Sequence, residues 1–67
     1  MFPYLYSEMM QKKISTKKLS KLTGIPLSTL YPKMRGEKDW KLCEMRNVKK
    51  AIESKQTIDV LFSEYHA

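Results

Sequence analysis

One stretch of the chain, residues 15–36, constrains the fold more than any other. Its sequence, STKKLSKLTGIPLSTLYPKMRG, predicts two short helices joined by a tight turn at Gly24. Glycine adopts a positive φ angle without strain, so Gly24 suits the position that ends the first of these helices. Ser15 is a favourable N-cap, because its hydroxyl can accept a hydrogen bond from an amide of the first turn.

The apolar residues of this stretch indicate how its two helices pack. Leu19 and Leu22 share one face of the first helix, and Leu30 lies on one face of the second. Ile25, just past the turn, is expected to wedge between them. A supporting helix, a glycine turn and a second helix offered to the major groove make up a helix–turn–helix. A helical hairpin with a solvated lysine face is the alternative interpretation.

The positive charge of the chain is concentrated on the same stretch. The chain has 67 residues and a net charge of +6. Residues 9–36 hold seven basic residues and no acidic one, whereas the remainder carries a net charge of −1. A basic stripe on a helix–turn–helix unit indicates contacts with phosphates. A merely solvated surface would explain lysines that are spread evenly, and these are not.

Composition excludes several classes of protein. A chain of this length forms one small domain, 1–67, with no room for a second active domain. Cys43 is the only cysteine and His66 the only histidine, so no internal disulfide and no metal site is expected. The serine, histidine and carboxylate positions show no plausible convergence. We therefore expect neither an enzyme with catalytic residues nor a cofactor or small-molecule ligand.

The sequence predicts a cytoplasmic protein. It contains no long apolar run, so no membrane span is expected. Its start, MFPYLY, lacks the basic region that precedes the apolar core of a signal peptide.

Three further helices are predicted around the central stretch, and no strand. The first covers residues 2–12, in which Leu5 and Met9 form a core stripe. A second stripe beside it is expected either to pack in the core or to meet a partner, and it consists of Phe2, Tyr6 and Met10. A helix over about 42–54 presents apolar residues at helical spacing: Leu42, Met45, Val48 and Ile52. Thr57 is expected to cap a last short helix.

The second helix of the central stretch contains a proline. Pro32 removes one backbone hydrogen bond and crowds the preceding turn, which costs about 3 kcal/mol in a regular helix. The helix is therefore predicted to be short, kinked or tightened over residues 31–33 and to end at Gly36. Trp40, in the loop that follows, is expected to plug the core.

These features together resemble the lambda-repressor-like, or Cro and repressor-type, helix–turn–helix family. The resemblance rests on ISTKKLSKLTGI, STLYPKMRG, Trp40 followed by Leu42 and Glu44, and VLF near the end. The chain is most similar to the short regulators of temperate phages of Gram-positive bacteria. The resemblance implies an all-α, compact five-helix domain that binds operator DNA through its third helix, in the cytoplasm of a bacterial host.

The resemblance also implies which residues face DNA. Base edges would face Leu27, Ser28, Tyr31 and Pro32, and phosphates would meet Thr16, Lys17, Thr29, Lys33 and Arg35. The concentration of charge adds Lys18 and Lys21 to the phosphate set. Relatives usually carry serine in place of Pro26, and often arginine or glutamine in place of Leu27 and Pro32. Direct base readout relies on side chains such as arginine or glutamine, which the leading positions of this helix lack.

Two functions remain open at this point. The first is a Cro-like transcriptional regulator that binds double-stranded operator DNA in a lysis–lysogeny switch. The second is an antirepressor, which would bind the cognate phage repressor through Leu27, Tyr31 and Pro32. The resemblance also implies a homodimer, because two-fold operators need two recognition helices. The candidate seam is Val60, Phe62 and Tyr65, although these residues could instead close the core of one chain.

Overall fold

The computed structural model describes residues 2–64, and these residues form five helices and no strand. The helices are α1 (Pro3–Gln11), α2 (Thr16–Thr23), α3 (Leu27–Met34), α4 (Leu42–Ala51) and α5 (Ile58–Leu61). The predicted all-α class is confirmed, while α4 ends three residues before the predicted boundary at Ser54. No helix within 2–64 is long and apolar enough to cross a membrane.

Local capping chemistry sets the ends of α2 and the start of α5. The Ser15 hydroxyl accepts a hydrogen bond from the Lys18 amide at 3.1 Å. Gly24 follows the last turn of α2 with a φ of +76°, the left-handed conformation expected of a glycine at a helix end. The Thr57 hydroxyl accepts from the Val60 amide at 3.3 Å. Each of these caps was predicted, because each depends on residues close together in sequence.

Pro32 lies inside α3, and the helix continues past it for two more residues. Proline has no amide hydrogen, so the carbonyl one turn earlier has no partner at this position. The last turn of the helix is completed by the Arg35 amide, which donates a hydrogen bond to the Tyr31 carbonyl at 3.0 Å. Gly36 follows with a φ of +81°, as expected of the residue that ends the helix. The helix is short, with eight residues.

The core is a single apolar cluster that draws on all five helices and on residues of the segments that flank them. Its fully buried members include Leu5, Leu19, Leu30, Val48 and Leu61. The predicted core role of Leu5, Met9 and Trp40 is confirmed. Ile25 is buried just after the turn. Within this packing α2 contacts both α3 and α4.

Three aromatic rings close one end of the core. Trp40 meets Phe62 at a centroid distance of 5.0 Å and Phe2 at 6.3 Å, in both cases edge to face. Phe62 is therefore a core residue, which is the second of the two roles predicted for it. Val60 from that seam remains exposed, and Tyr65 lies outside the described residues.

Several apolar residues at the ends of predicted stripes lie at the surface. Leu22 is 48% exposed, so Leu19 is the only buried residue of α2. Met10 is 80% exposed and Leu42 is also exposed, so neither belongs to the core. These residues lie at the edge of the apolar face of their helix. A small rotation of the helix about its axis therefore decides whether such a side chain is buried or exposed.

Candidate nucleic-acid interface

Hydrogen bonds across the turn between α2 and α3 fix how the two helices meet. The Ser20 hydroxyl donates to the Ile25 carbonyl at 2.6 Å. The Thr23 hydroxyl donates to the Leu19 carbonyl at 2.8 Å and accepts from the Ile25 amide at 3.2 Å. These two short side chains therefore tie the last turn of α2 to the backbone of the turn at Ile25.

A second contact secures the end of α2 from the opposite side. The Asn47 side chain on α4 donates to the Thr23 carbonyl at 2.8 Å. The last turn of α2 is therefore bonded to α4 as well as to the turn. An interface built on α2 and α3 would rest on a supported frame, as precise recognition requires.

The residues predicted to face bases lie towards the outside of α3. Ser28 is exposed and Tyr31 is 46% exposed. Leu27 and Pro32 are half-buried. Leu30, which is fully buried, marks the opposite side of the helix. The exposed residues of α3 are therefore Ser28 and Tyr31, flanked by the apolar Leu27 and Pro32, and the two hydroxyls are the groups that could meet a base edge.

The basic residues of α2 form an exposed surface next to α3. Lys17, Lys18 and Lys21 are exposed, and none forms an ion pair within the described part of the chain. We call these three residues the α2 lysine face. Thr16 and Thr29, the hydroxyl residues of the predicted phosphate set, are half-buried. Within the described residues, the α2 lysine face is the part of the predicted set whose charge is both accessible and unpaired.

Lys33 departs from its predicted role. Its side chain is buried, with the residue only 7% exposed, and its ammonium forms an ion pair with Glu44 on α4. A phosphate cannot reach this ammonium without breaking that pair. The prediction that Lys33 contacts a phosphate is therefore wrong for this structure, and the pair instead links α3 to the first turn of α4.

The same carboxylate also caps α4. Glu44 accepts a hydrogen bond from the Lys41 amide at 2.8 Å, whereas the Lys41 side chain returns none because lysine has no acceptor. Partial burial works to raise the pKa of Glu44. The hydrogen bonds from Lys33 and the Lys41 amide outweigh burial, so the pKa of Glu44 lies below its ordinary value.

Arg35 is accessible but already has a partner. Its Nε lies 2.6 Å from a Glu37 carboxylate oxygen, and both side chains are more than half exposed. The hydrogen bond and the charge of Glu37 raise the pKa of Arg35, and Arg35 lowers the pKa of Glu37 in the same way. Because exposed pairs are weak, a phosphate can compete with Glu37 for this guanidinium.

Lys12 is exposed, but its ammonium is bonded to other parts of the fold. Its ammonium donates to the carbonyls of Ile52 at 2.6 Å and Glu53 at 3.0 Å, where α4 ends. It also lies 3.4 Å from the Glu8 carboxylate. Of the seven basic residues in 9–36, Lys12, Lys33 and Arg35 thus have partners, which leaves Lys13 and the α2 lysine face.

The Lys33–Glu44 pair could have been predicted from the sequence. Lys33 follows the buried Leu30 by three residues and therefore lies near the core side of α3. A lysine at such a position needs a carboxylate partner, since lysine is almost never fully buried unless it is paired. Glu44, already predicted in the first turn of the next long helix, was a candidate for that partner.

No family model, no curated protein and no solved structure matches this chain.

The Lys33–Glu44 pair yields a prediction about stability. Replacing Glu44 with glutamine at neutral pH should lower the free energy of unfolding by about 1–2 kcal/mol, because the buried Lys33 ammonium loses its counter-charge. Lys33→Met should lower the free energy of unfolding by a smaller amount than Glu44→Gln, because it removes the buried charge together with the pair. Urea unfolding followed by circular dichroism measures both variants.

The pH dependence of this effect has a definite sign. The folded pKa of Glu44 is depressed, so its contribution is complete above the unfolded pKa of about 4.3 and is lost as pH falls through the lower folded value. The stability difference between the native chain and Glu44→Gln should therefore shrink in strong acid. A difference that is the same at pH 7 and in strong acid would contradict the role given to this carboxylate.

Proposed function

We propose that this chain is a Cro-like transcriptional regulator that binds double-stranded operator DNA through α2 and α3, in the lysis–lysogeny switch of a phage. In this proposal the chain has the lambda-repressor-like helix–turn–helix fold. The α2 lysine face and Arg35 contact phosphates, α3 enters the major groove, and the protein acts in the cytoplasm of a bacterial host.

The observation that carries the proposal is the α2 lysine face. Three exposed lysines with no acidic partner among residues 2–64 lie on the helix that precedes α3, and the Gly24 turn joins the two helices. Phosphate contacts made from a supporting helix fix the register of a protein on DNA, while the following helix meets the bases. With Lys33 bound to Glu44, most of this positioning falls to α2.

A second function is favoured by the surface of α3 itself. An antirepressor would use Leu27, Tyr31 and Pro32 to bind the cognate phage repressor. Tyr31 is 46% exposed, and α3 offers no accessible arginine, lysine, asparagine or glutamine within its eight residues because Lys33 is buried. Such a surface gains little from base edges, whereas an aromatic anchor is typical of protein interfaces.

Replacing Tyr31 with alanine distinguishes the two functions. If DNA is the target, affinity should fall only modestly, because a tyrosine on this face makes no bidentate contact with a base. If a repressor is the target, loss of the anchor should cost about 2 kcal/mol or more, which corresponds to roughly thirtyfold in affinity. Binding is measured against the intergenic DNA beside the gene and against the purified adjacent repressor.

Tyr4→Ala is the matched control, since Tyr4 is an exposed tyrosine on α1, a helix that is not part of the proposed interface. It should leave both affinities unchanged. Strong repressor binding that collapses in Tyr31→Ala, together with no specific DNA binding at low salt, would overturn the first function in favour of the second.

A further inference from the structure

A second basic surface lies between the C-terminal half of α4 and the start of α5. Here an open groove of about 570 Å³ is lined by Arg46, Lys49, Lys50, Glu53, Ser54 and Ile58. We call this the α4–α5 groove. It shares no residue with the α2 lysine face or with the exposed side of α3. A ligand in this groove would therefore bind separately from the surface assigned to DNA.

The groove carries an excess of positive charge. Its lining holds three cationic residues and one carboxylate, that of Glu53. Arg46 and Lys50 are exposed and Lys49 is half-buried. None of the three forms an ion pair with a carboxylate of residues 2–64. The groove thus has uncompensated cations available to an acidic ligand.

Stabilisation of the helix end does not account for all of these cations. Basic residues in a last turn commonly offset the negative end of the helix macrodipole. In α4, however, Lys12 already donates to the carbonyls of Ile52 and Glu53. The Ser54 hydroxyl is also engaged, with the Glu8 carboxylate. Lys49 and Lys50 lie in this last turn and add to the contacts of Lys12, whereas Arg46 lies before it and is not accounted for by the helix end.

The chemistry of the groove favours one class of ligand. Ile58 is half-buried and contributes an apolar surface beside the three cations. We propose that the α4–α5 groove binds an acidic peptide segment of a partner protein, with an apolar side chain over Ile58 and carboxylates facing Arg46, Lys49 and Lys50. A phosphate backbone offers no apolar group to cover Ile58. A second copy of this chain is disfavoured because each copy carries a net charge of +6.

The test uses the whole chain and a defined probe. The probe is a fluorescently labelled synthetic peptide in which glutamate residues alternate with leucines, and its binding is followed by fluorescence anisotropy. Arg46→Gln, Lys49→Gln and Lys50→Gln combined should weaken binding about tenfold, as expected of three exposed charge pairs lost together. Replacing the leucines of the probe with glutamines should also weaken binding, because the contact with Ile58 is lost.

A matched control removes the same number of charges elsewhere. Lys17→Gln, Lys18→Gln and Lys21→Gln combined should leave peptide binding nearly unchanged. Circular dichroism establishes that both triple variants remain folded. Equal loss of peptide binding in the two variants, or no binding by the native chain, would overturn the proposal. Loss of duplex DNA binding in the groove variant with peptide binding intact would instead assign the groove to nucleic acid.

Discussion

Replacing Leu30 with alanine is expected to lower the free energy of unfolding by about 2–5 kcal/mol. Leu30 is fully buried in α3 and belongs to the cluster that joins α3 to α2 and α4. Alanine removes three side-chain carbons from this site and leaves a cavity that the surrounding helices fill only in part. At roughly 0.05–0.15 kcal/mol per residue, the 67-residue chain has only about 3–10 kcal/mol of stability.

The loss should therefore be visible as partial unfolding near room temperature. Chemical denaturation followed by far-ultraviolet circular dichroism measures the change. Leu22→Ala is the matched control, because it is the same substitution in the neighbouring helix at a residue that is 48% exposed. A loss in Leu30→Ala no larger than that in Leu22→Ala would mean that α3 does not pack in the orientation described.

The structural features predicted correctly from the sequence are those with a local cause. The caps at Ser15, Gly24 and Thr57 depend on residues within a few positions of one another, and all three are present. Helical periodicity correctly placed Leu5, Met9 and Val48 in the core, since these residues lie at the centre of their stripes. The number and order of the helices follow from the same two sources of information.

The failures involve choices that only packing between distant helices decides. α5 has four residues, about one turn, which is too short for periodicity to show which residues face inward. For this reason Phe62 was predicted either at a dimer seam or in the core, and in the structure it packs against Trp40 and Phe2. Leu22 lies at the margin of its stripe, where the rotation of the helix about its axis determines exposure.

The candidate interface was predictable in outline but not in its charge distribution. The net charge of a segment does not reveal which cations already have partners. Lys12 and Lys33 contact residues 40 and 11 positions away along the chain, respectively. Because Lys33 is paired, the accessible lysines lie on α2 and not on α3. The consequence for function is that DNA binding, as proposed here, depends chiefly on the α2 lysine face.

Removing the α2 lysine face should therefore have a large effect on DNA binding. Lys17→Gln, Lys18→Gln and Lys21→Gln combined eliminate three cations, and glutamine retains nearly the helix propensity of lysine. Each phosphate neutralised contributes about −0.9 to the slope of log affinity against log salt concentration. The slope should therefore become less steep by roughly 2.7 in the triple variant. When the salt concentration is lowered from 1 M to 0.1 M, the affinity of the variant should rise by a factor about 500 times smaller than that of the native chain.

The measurement is a set of titrations at several salt concentrations, with a duplex recovered by selection from a random-sequence pool. The combined substitutions Arg46→Gln, Lys49→Gln and Lys50→Gln are the control, because they remove an equal charge from the α4–α5 groove. This control should keep the native slope if phosphates lie along α2. Equal flattening in both variants would mean that net charge alone attracts DNA, and an unchanged slope in the α2 variant would remove the lysine face from the interface. In either case the proposed orientation of α3 in the major groove would lose its support, because the α2 contacts are what position α3 there.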